Sequence, residues 1–160
     1  MEYPIPENQF IMFLINAKQS TYAASDGQAR VKSKLPGSHQ LEFRRGGLLY
    51  RDIYYGGDFF VGLETVYNQE NPFWAMSYAG GINQGVDAED KPGIYNFLKS
   101  ALRKVPADAP YRGPVSLSDG PLSYINRALG SPIRFSGVET ISLDDVLIYK
   151  LHYSGGLLKD

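Results

Sequence analysis

Residues 60–82 read FVGLETVYNQENPFWAMSYAGGI and residues 135–157 read FSGVETISLDDVLIYKLHYSGGL, a gapless self-match at an offset of 75. Phe60, Gly62, Glu64, Thr65, Tyr78, Gly80 and Gly81 recur as Phe135, Gly137, Glu139, Thr140, Tyr153, Gly155 and Gly156. Leu63/Val138, Val66/Ile141, Trp74/Tyr149 and Met76/Leu151 match in kind. Self-similarity at a fixed spacing means one supersecondary unit used twice, and two such units must bury their apolar faces together. The expectation is a tandem duplication, with pseudo-repeats over about residues 7–84 and 91–160 inside a single domain spanning 1–160.

Each copy begins with a helical pattern. Over residues 7–18, Phe10, Phe13, Leu14 and Ala17 form an apolar stripe that Ile11 and Ile15 widen until the helix reads as deeply buried. Over residues 92–104, Ile94, Phe97, Leu98, Ala101 and Leu102 recur at helical spacing behind Asp90 as a cap and Pro92 in the first turn. Strands follow, punctuated by Gly46-Gly47, Gly56-Gly57-Asp58, Gln69-Glu70, Asp119-Gly120 and Asp144-Asp145. Connections this short make antiparallel hairpins. The fold class expected is α+β: a helix plus an antiparallel meander of three to four strands, twice over. The two units share one sheet with both helices on one face, which is favoured, or a barrel-like core.

If Gln69-Glu70 closes a regular hairpin, Val61, Leu63 and Thr65 share a face with Trp74, Met76 and Tyr78, and this face is the expected core. The second copy supplies Val138, Thr140, Tyr149, Leu151 and Tyr153 to the same face. The other face then carries Glu64 opposite Ala75, with Arg51 diagonal to it, and Glu139 opposite Lys150 and diagonal to His152. A three-residue loop after Gly56 would move Arg51 to the other face. A glutamate repeated in mid-strand among Phe and Val is read first as a structural carboxylate and second as a polar anchor in an aromatic-lined site. At the offset of 75, Tyr50-Arg51-Asp52 and Trp74 stand against Ile125-Asn126-Arg127 and Tyr149, so any site is expected in that asymmetry.

Composition removes several chemistries. There is no cysteine, hence no disulfide framework, thiolate metal site or Cys nucleophile. A net charge of −1 leaves no positive excess for nucleic acid, and Arg30, Lys32 and Lys34 read as a solvated loop. No apolar run reaches membrane-span length and no signal pattern opens the chain, so neither membrane nor nucleic acid is an expected partner and cytoplasm is the expected compartment. No cofactor or metal motif occurs, and the acidic Asp87, Glu89 and Asp90 read as a linker. Of the two histidines, His39 sits in a turn and His152 beside Glu139, where an ion pair outweighs a general base. Aromatic residues make up 13%, with twelve Tyr, which suits half-buried sheets, ligand pockets or interfaces. In the run Tyr50-Arg51-Asp52-Ile53-Tyr54, alternation puts Tyr50, Asp52 and Tyr54 on one side. Arg112, between Tyr111 and Gly113-Pro114, is placed either to fork an anionic ligand or to clamp its loop to the sheet.

Several of these runs resemble an uncharacterised bacterial family known only as a domain of unknown function. They are Ala17-Lys18 to Tyr22 with Pro36-Gly37-Ser38, Tyr50-Arg51-Asp52 with Tyr54 and Gly56, Phe60-x-Gly62, Trp74-x-Met76-x-Tyr78-x-Gly80, Tyr111-Arg112-Gly113-Pro114 and Tyr153-x-Gly155-Gly156. Members of that family stand alone or C-terminal to XRE-type helix-turn-helix domains, which implies an effector-sensing or protein-contact module. This chain has no helix-turn-helix, its early helix being too apolar to read DNA.

Three functions are weighed. The first is a non-enzymatic domain that binds, senses or sequesters a small molecule, nucleotide-derived or otherwise polar or anionic, in an aromatic-lined cleft on the sheet or at the seam between copies. Its candidate ligand-binding residues are Tyr50, Arg51, Asp52, Tyr54, Glu64, Trp74, Tyr78, Tyr111, Arg112, Glu139 and His152, and no catalytic residue is assigned. The second is a protein-interaction or homodimerisation module. The third is a hydrolase or isomerase using Glu64.

Overall fold

The computed structural model describes residues 2–24 and 27–159. Helix α1 (Glu7–Ser20) is followed by strands β1 (Arg30–Val31), β2 (His39–Arg45), β3 (Leu48–Gly56), β4 (Phe59–Asn68) and β5 (Asn71–Ile82). Helix α2 (Lys91–Leu102) then precedes β6 (Ser116–Asp119), β7 (Leu122–Ser131), β8 (Arg134–Leu143) and β9 (Val146–Leu157). The strands make one open antiparallel sheet in the order β1-β2-β3-β4-β5-β9-β8-β7-β6. The sheet, and not a barrel, therefore joins the two helix-plus-meander segments, and β5 against β9 is their seam.

Both helices lie on one face. In α1, Phe10, Phe13, Leu14, Ala17 and Lys18 recur at helical spacing and are buried, while Met12 on the opposite side is 58% exposed. The helix is thus one-sided, not buried all round. In α2, Ile94, Phe97, Leu98, Ala101 and Leu102 make the corresponding stripe. Asp90 occupies its N-cap but makes no side-chain cap bond. Lys91 pairs with Asp58, and Tyr95 Oη donates to Gly57 O at 2.7 Å, tying α2 to the β3–β4 turn. Among the described residues no helix is long and apolar enough to cross a membrane.

The hairpin register departs from the expected one. Asn68 faces Asn71 and Tyr67 faces Pro72, as a two-residue turn requires, but Val66 then faces Trp74 and Phe73 is left without a partner. In the other hairpin Ser142 faces Leu147, Ile141 faces Tyr149, and Ile148 is the extra residue. A bulge of one residue exchanges the faces of every residue beyond it. Glu64 and Glu139 therefore point toward the helices beside Trp74, Met76, Tyr149 and Leu151. Val61, Leu63, Thr65, Val138 and Thr140, expected in the core, lie on the helix-free face, where Val61 and Leu63 are each 48% exposed. Lys150 and His152 lie there too, so neither is the partner of Glu139.

The bulges are tied into the seam. Leu158 N donates to Phe73 O at 2.9 Å, and Asn83 N donates to Ile148 O at 2.8 Å, so each extra carbonyl is satisfied from the other segment. Gln69 and Glu70, like Asp144 and Asp145, have positive φ at both turn positions, which matches the twist of the flanking strands. The β5–β9 register sets Tyr78 directly opposite Tyr153, the pair that the sequence match equates.

On the helix side the rings of Tyr78 and Tyr153 lie flat across Gly62 and Gly137. A Cβ at either glycine would stand 2.2 Å from the phenol oxygen of its tyrosine. Gly62→Ala and Gly137→Ala should each cost about 1–3 kcal/mol through displaced rings, read as a lower urea midpoint with an unchanged slope. Gly57→Ala, at a position with open space around it, is the control and should move the midpoint little.

Candidate functional site

The sequence-derived candidates separate into two groups. Tyr50, Asp52, Tyr54, Glu64, Trp74, Tyr78, Tyr111, Arg112 and Glu139 come together on the helix side, most of them fully buried. Arg51 and His152 are on the other face, and Arg51 Nε donates to Glu42 at 2.8 Å. Trp74 is a core residue, its indole N–H donating to Pro132 O at 3.1 Å and its ring packed against Phe10 and Phe135. Tyr54 packs on His39 with ring centroids 5.0 Å apart.

The buried group is built around the two repeated glutamates. Glu139 is fully buried, and its Oε1 accepts from Arg112 Nε at 3.0 Å, Arg112 Nη2 at 2.5 Å and Tyr149 Oη at 2.8 Å. Its Oε2 accepts from Tyr124 Oη at 2.7 Å, and Tyr124 Oη in turn accepts from Gly113 N at 2.9 Å. Asn126 Nδ2 donates to Gly113 O at 3.0 Å, so the loop carrying Arg112 is held at both of its backbone polar groups. Glu64 pairs with Lys18 of α1 and lies next to Asp52 across β3–β4. Burial pulls the Lys18 ammonium below its ordinary range, against the opposing pull of Glu64. Burial also works against the Arg112 charge, but Glu139 beside it outweighs that and raises its pKa further.

Lys18 was not among the expected residues, although its signal was present, since it falls four residues after Leu14 and eight after Phe10 on the apolar stripe. The asymmetry between halves also takes a different form. Between matched residues the β7–β8 connection is one residue longer than the β3–β4 connection, so Tyr124 and Asn126 stand where Tyr50 and Asp52 stand, at an offset of 74. Asp52 and Asn126 are each the cross-strand partner of a repeated glutamate, and each accepts from a tyrosine: Tyr78 Oη at 2.6 Å and Tyr153 Oη at 2.7 Å. The chemical difference is Asp against Asn. Burial, and then the Glu64 charge, raise the Asp52 carboxyl from 3.8 to about 7.

This interior is closed. The gap bounded by Lys18, Tyr22, Tyr50, Glu64, Tyr111 and Arg112 amounts to about 10 Å³, less than or equal to the roughly 10–15 Å³ that one water needs. The charges that border it are paired, Lys18 with Glu64 and Arg112 with Glu139.

The helix-free face is the opposite case. Here β4, β5, β9, β8 and β7 floor a trough of about 1090 Å³, at the upper end of the range of small-molecule sites. The outward residues of β5 are Ala75, Ser77 and Ala79, which leave its floor low. Val61 forms one wall, and Ile125 and Leu129 the other. The basic lining residues are Arg127, Lys150 and His152, and Tyr78 and Tyr153 also border the trough, with no carboxylate among the lining. Among the described residues neither Arg127 nor Lys150 has an ion-pair partner. No group of three or more His, Asp or Glu among the described residues is placed to hold a metal.

Residues 52–158 match the family described as Domain of unknown function (DUF5680). The chain belongs to that family. No curated protein and no solved structure matches it. The DUF5680 segment contains the whole trough and the Arg112–Glu139 pair, while Lys18 and Tyr50 precede it.

Two tests address the buried group. Arg112→Leu leaves Glu139 buried and uncompensated and should cost about 3–5 kcal/mol, and Glu139→Gln in the same background should recover part of that by removing the stranded charge. The Asp52 carboxyl, with a folded pKa of about 7 against 3.8, keeps a proton that the unfolded chain has lost. Its contribution to stability is present in full below pH 3.8 and is lost as pH rises through 7. Asp52→Asn should therefore gain on the parent between pH 4 and 7, with the gap level above that, as urea unfolding at stepped pH would register. Parallel curves would show that Asp52 is ionised throughout.

Proposed function

We propose that this DUF5680 chain is a non-enzymatic binding domain whose helix-free sheet face takes a small molecule. The observation that carries this reading is the contrast between a closed, fully paired interior and an open trough of about 1090 Å³ whose cations have no partner. Unpaired cations gathered over a low floor are unsatisfied binding capacity, whereas the paired charges beneath the helices are architecture. The site moves accordingly. Of the residues singled out in the sequence, Tyr78 and His152 are among those that border the trough, and Tyr50 and Tyr111 lie in the core.

The two helix-plus-meander halves are read as a tandem duplication. The recurring bulges, paired turns and Tyr78–Tyr153 contact support that reading. The duplicated residues build the frame, and the trough uses residues in which the halves differ, Arg127 and His152 standing where the first half has Ile53 and Ser77. A sensing role would suit the helix-turn-helix context that the family resemblance implies.

One observation favours the second reading, a protein-contact face: Leu129 is 75% exposed and Val61 and Leu63 nearly half exposed, and apolar groups on an open face mark interfaces as well as ligand sites. Native mass spectrometry of the chain purified from its host separates the two. The ligand reading expects a defined mass excess at one equivalent, lost when Ser77→Phe fills the trough. A clean apo dimer that Ser77→Phe breaks would instead establish the contact face.

A further inference from the structure

The register across the helix-free face gives the trough a chemical polarity. One row of Cα partners runs Tyr55, Val61, Ala79, His152, Val138 and Arg127. The next row toward the β5 C-terminus places Lys150 beside Thr140 and Ile125. Strands are about 4.8 Å apart and alternate residues about 6.6 Å apart along a strand. Lys150, His152 and Arg127 therefore stand at the corners of a triangle with sides of roughly 7–12 Å, with Val138 on its His152–Arg127 side and Thr140 just beyond its long side. Side chains as long as Lys and Arg converge over such a centre. At the other end of the row, Ala79 and Val61 present only carbon, with the hydroxyl of Ser77 beside them.

We infer that the trough takes an amphipathic organic anion, a small molecule with one carboxylate, sulfonate or phosphate over Val138 and Thr140 and a flat apolar body lying across Ala79 toward Val61. This rests on the reading of the helix-free face as a ligand site. Three observations support it independently of the trough's size. The lining has no carboxylate, so the cations are complementary to negative charge alone. Arg127 and Lys150 carry no ion pair that a ligand would have to break, and both are exposed. The lining from β4 and β5 carries no charged group, whereas Arg127, Lys150 and His152 all come from β7 and β9, which orients a molecule with a charged end. A polyanion fits less well, since Arg127 and Lys150 alone cannot track a phosphate backbone and the chain as a whole carries a net charge of −1.

The matched fluorescent probes 8-anilinonaphthalene-1-sulfonate and N-phenyl-1-naphthylamine share one body and differ in the sulfonate. The folded chain should bind the sulfonate at one equivalent and at least tenfold more tightly than the neutral amine. Arg127→Gln and Lys150→Gln, both at exposed positions, should each remove most of that preference while leaving the amine's affinity and the thermal midpoint unchanged. Ser77→Phe should block both probes. Equal binding of the two probes, still blocked by Ser77→Phe, would overturn the anion inference and leave the face reading standing. Binding of neither probe, or binding indifferent to Ser77→Phe, would overturn both.

Discussion

A carboxylate taken out of water costs several kcal/mol even after relaxation, and this fold takes three of them, Asp52, Glu64 and Glu139, into one layer between sheet and helices. That layer persists only if each charge finds a partner of correct geometry, which fixes where everything else must be. Arg112 reaches Glu139 only if the loop after α2 lies flat on β7, and Gly113 holds it there through Tyr124 and Asn126. Lys18 reaches Glu64 only if the last turn of α1 sits over β4. Each ion pair thus sets the height and rotation of one covering segment. Apolar packing alone would tolerate a range of helix placements, whereas a buried charge pair does not.

The tyrosines belong to the same constraint. An oxygen of Glu139 with no donor would remain desolvated and unpaired, and Tyr124 and Tyr149 supply donors while their rings fill core volume. Serine could donate but would leave a void, and phenylalanine would fill the void but not donate. The tyrosine excess is therefore accounted for largely by a polar layer inside an apolar core. Asp52 fits the same logic from the other side. With Glu64 as its neighbour and no cation of its own, it is most stable holding a proton, and then its shape and hydrogen bonding approach those of Asn126 in the matching position.

Much of this was legible in the sequence. The repeat at an offset of 75 marked the two hairpins, and apolar spacing marked the two helices, while the β5–β9 seam that sets Tyr78 against Tyr153 came only with the structure. The turn signals at Gly46-Gly47, Gln69-Glu70 and Asp144-Asp145 fell where the chain reverses. The faces were not legible, because strand alternation has a period of two and one extra residue inverts it. Phe73 and Ile148 look like ordinary strand residues. What marks them as bulges is a carbonyl accepting from the far end of the other half, a contact between residues 85 or more positions apart for Phe73 and Leu158. Likewise Tyr50 and Tyr124 match only once the β7–β8 connection is known to be one residue longer.

The inversion bears on function more than on fold. With the faces exchanged, the conspicuous polar residues go inside and pair with one another, and the inconspicuous ones, Val61, Ser77, Val138 and Thr140, go outside. A residue that stands out in a sequence because it breaks an apolar pattern is as often there to satisfy a buried partner as to meet a ligand, and burial decides which. A cation left on an open face with no acid near it has no such internal account. Arg127 and Lys150 do nothing for the core, no carboxylate beside them would be stranded by their loss, and the floor between them is low because β5 turns only small side chains outward.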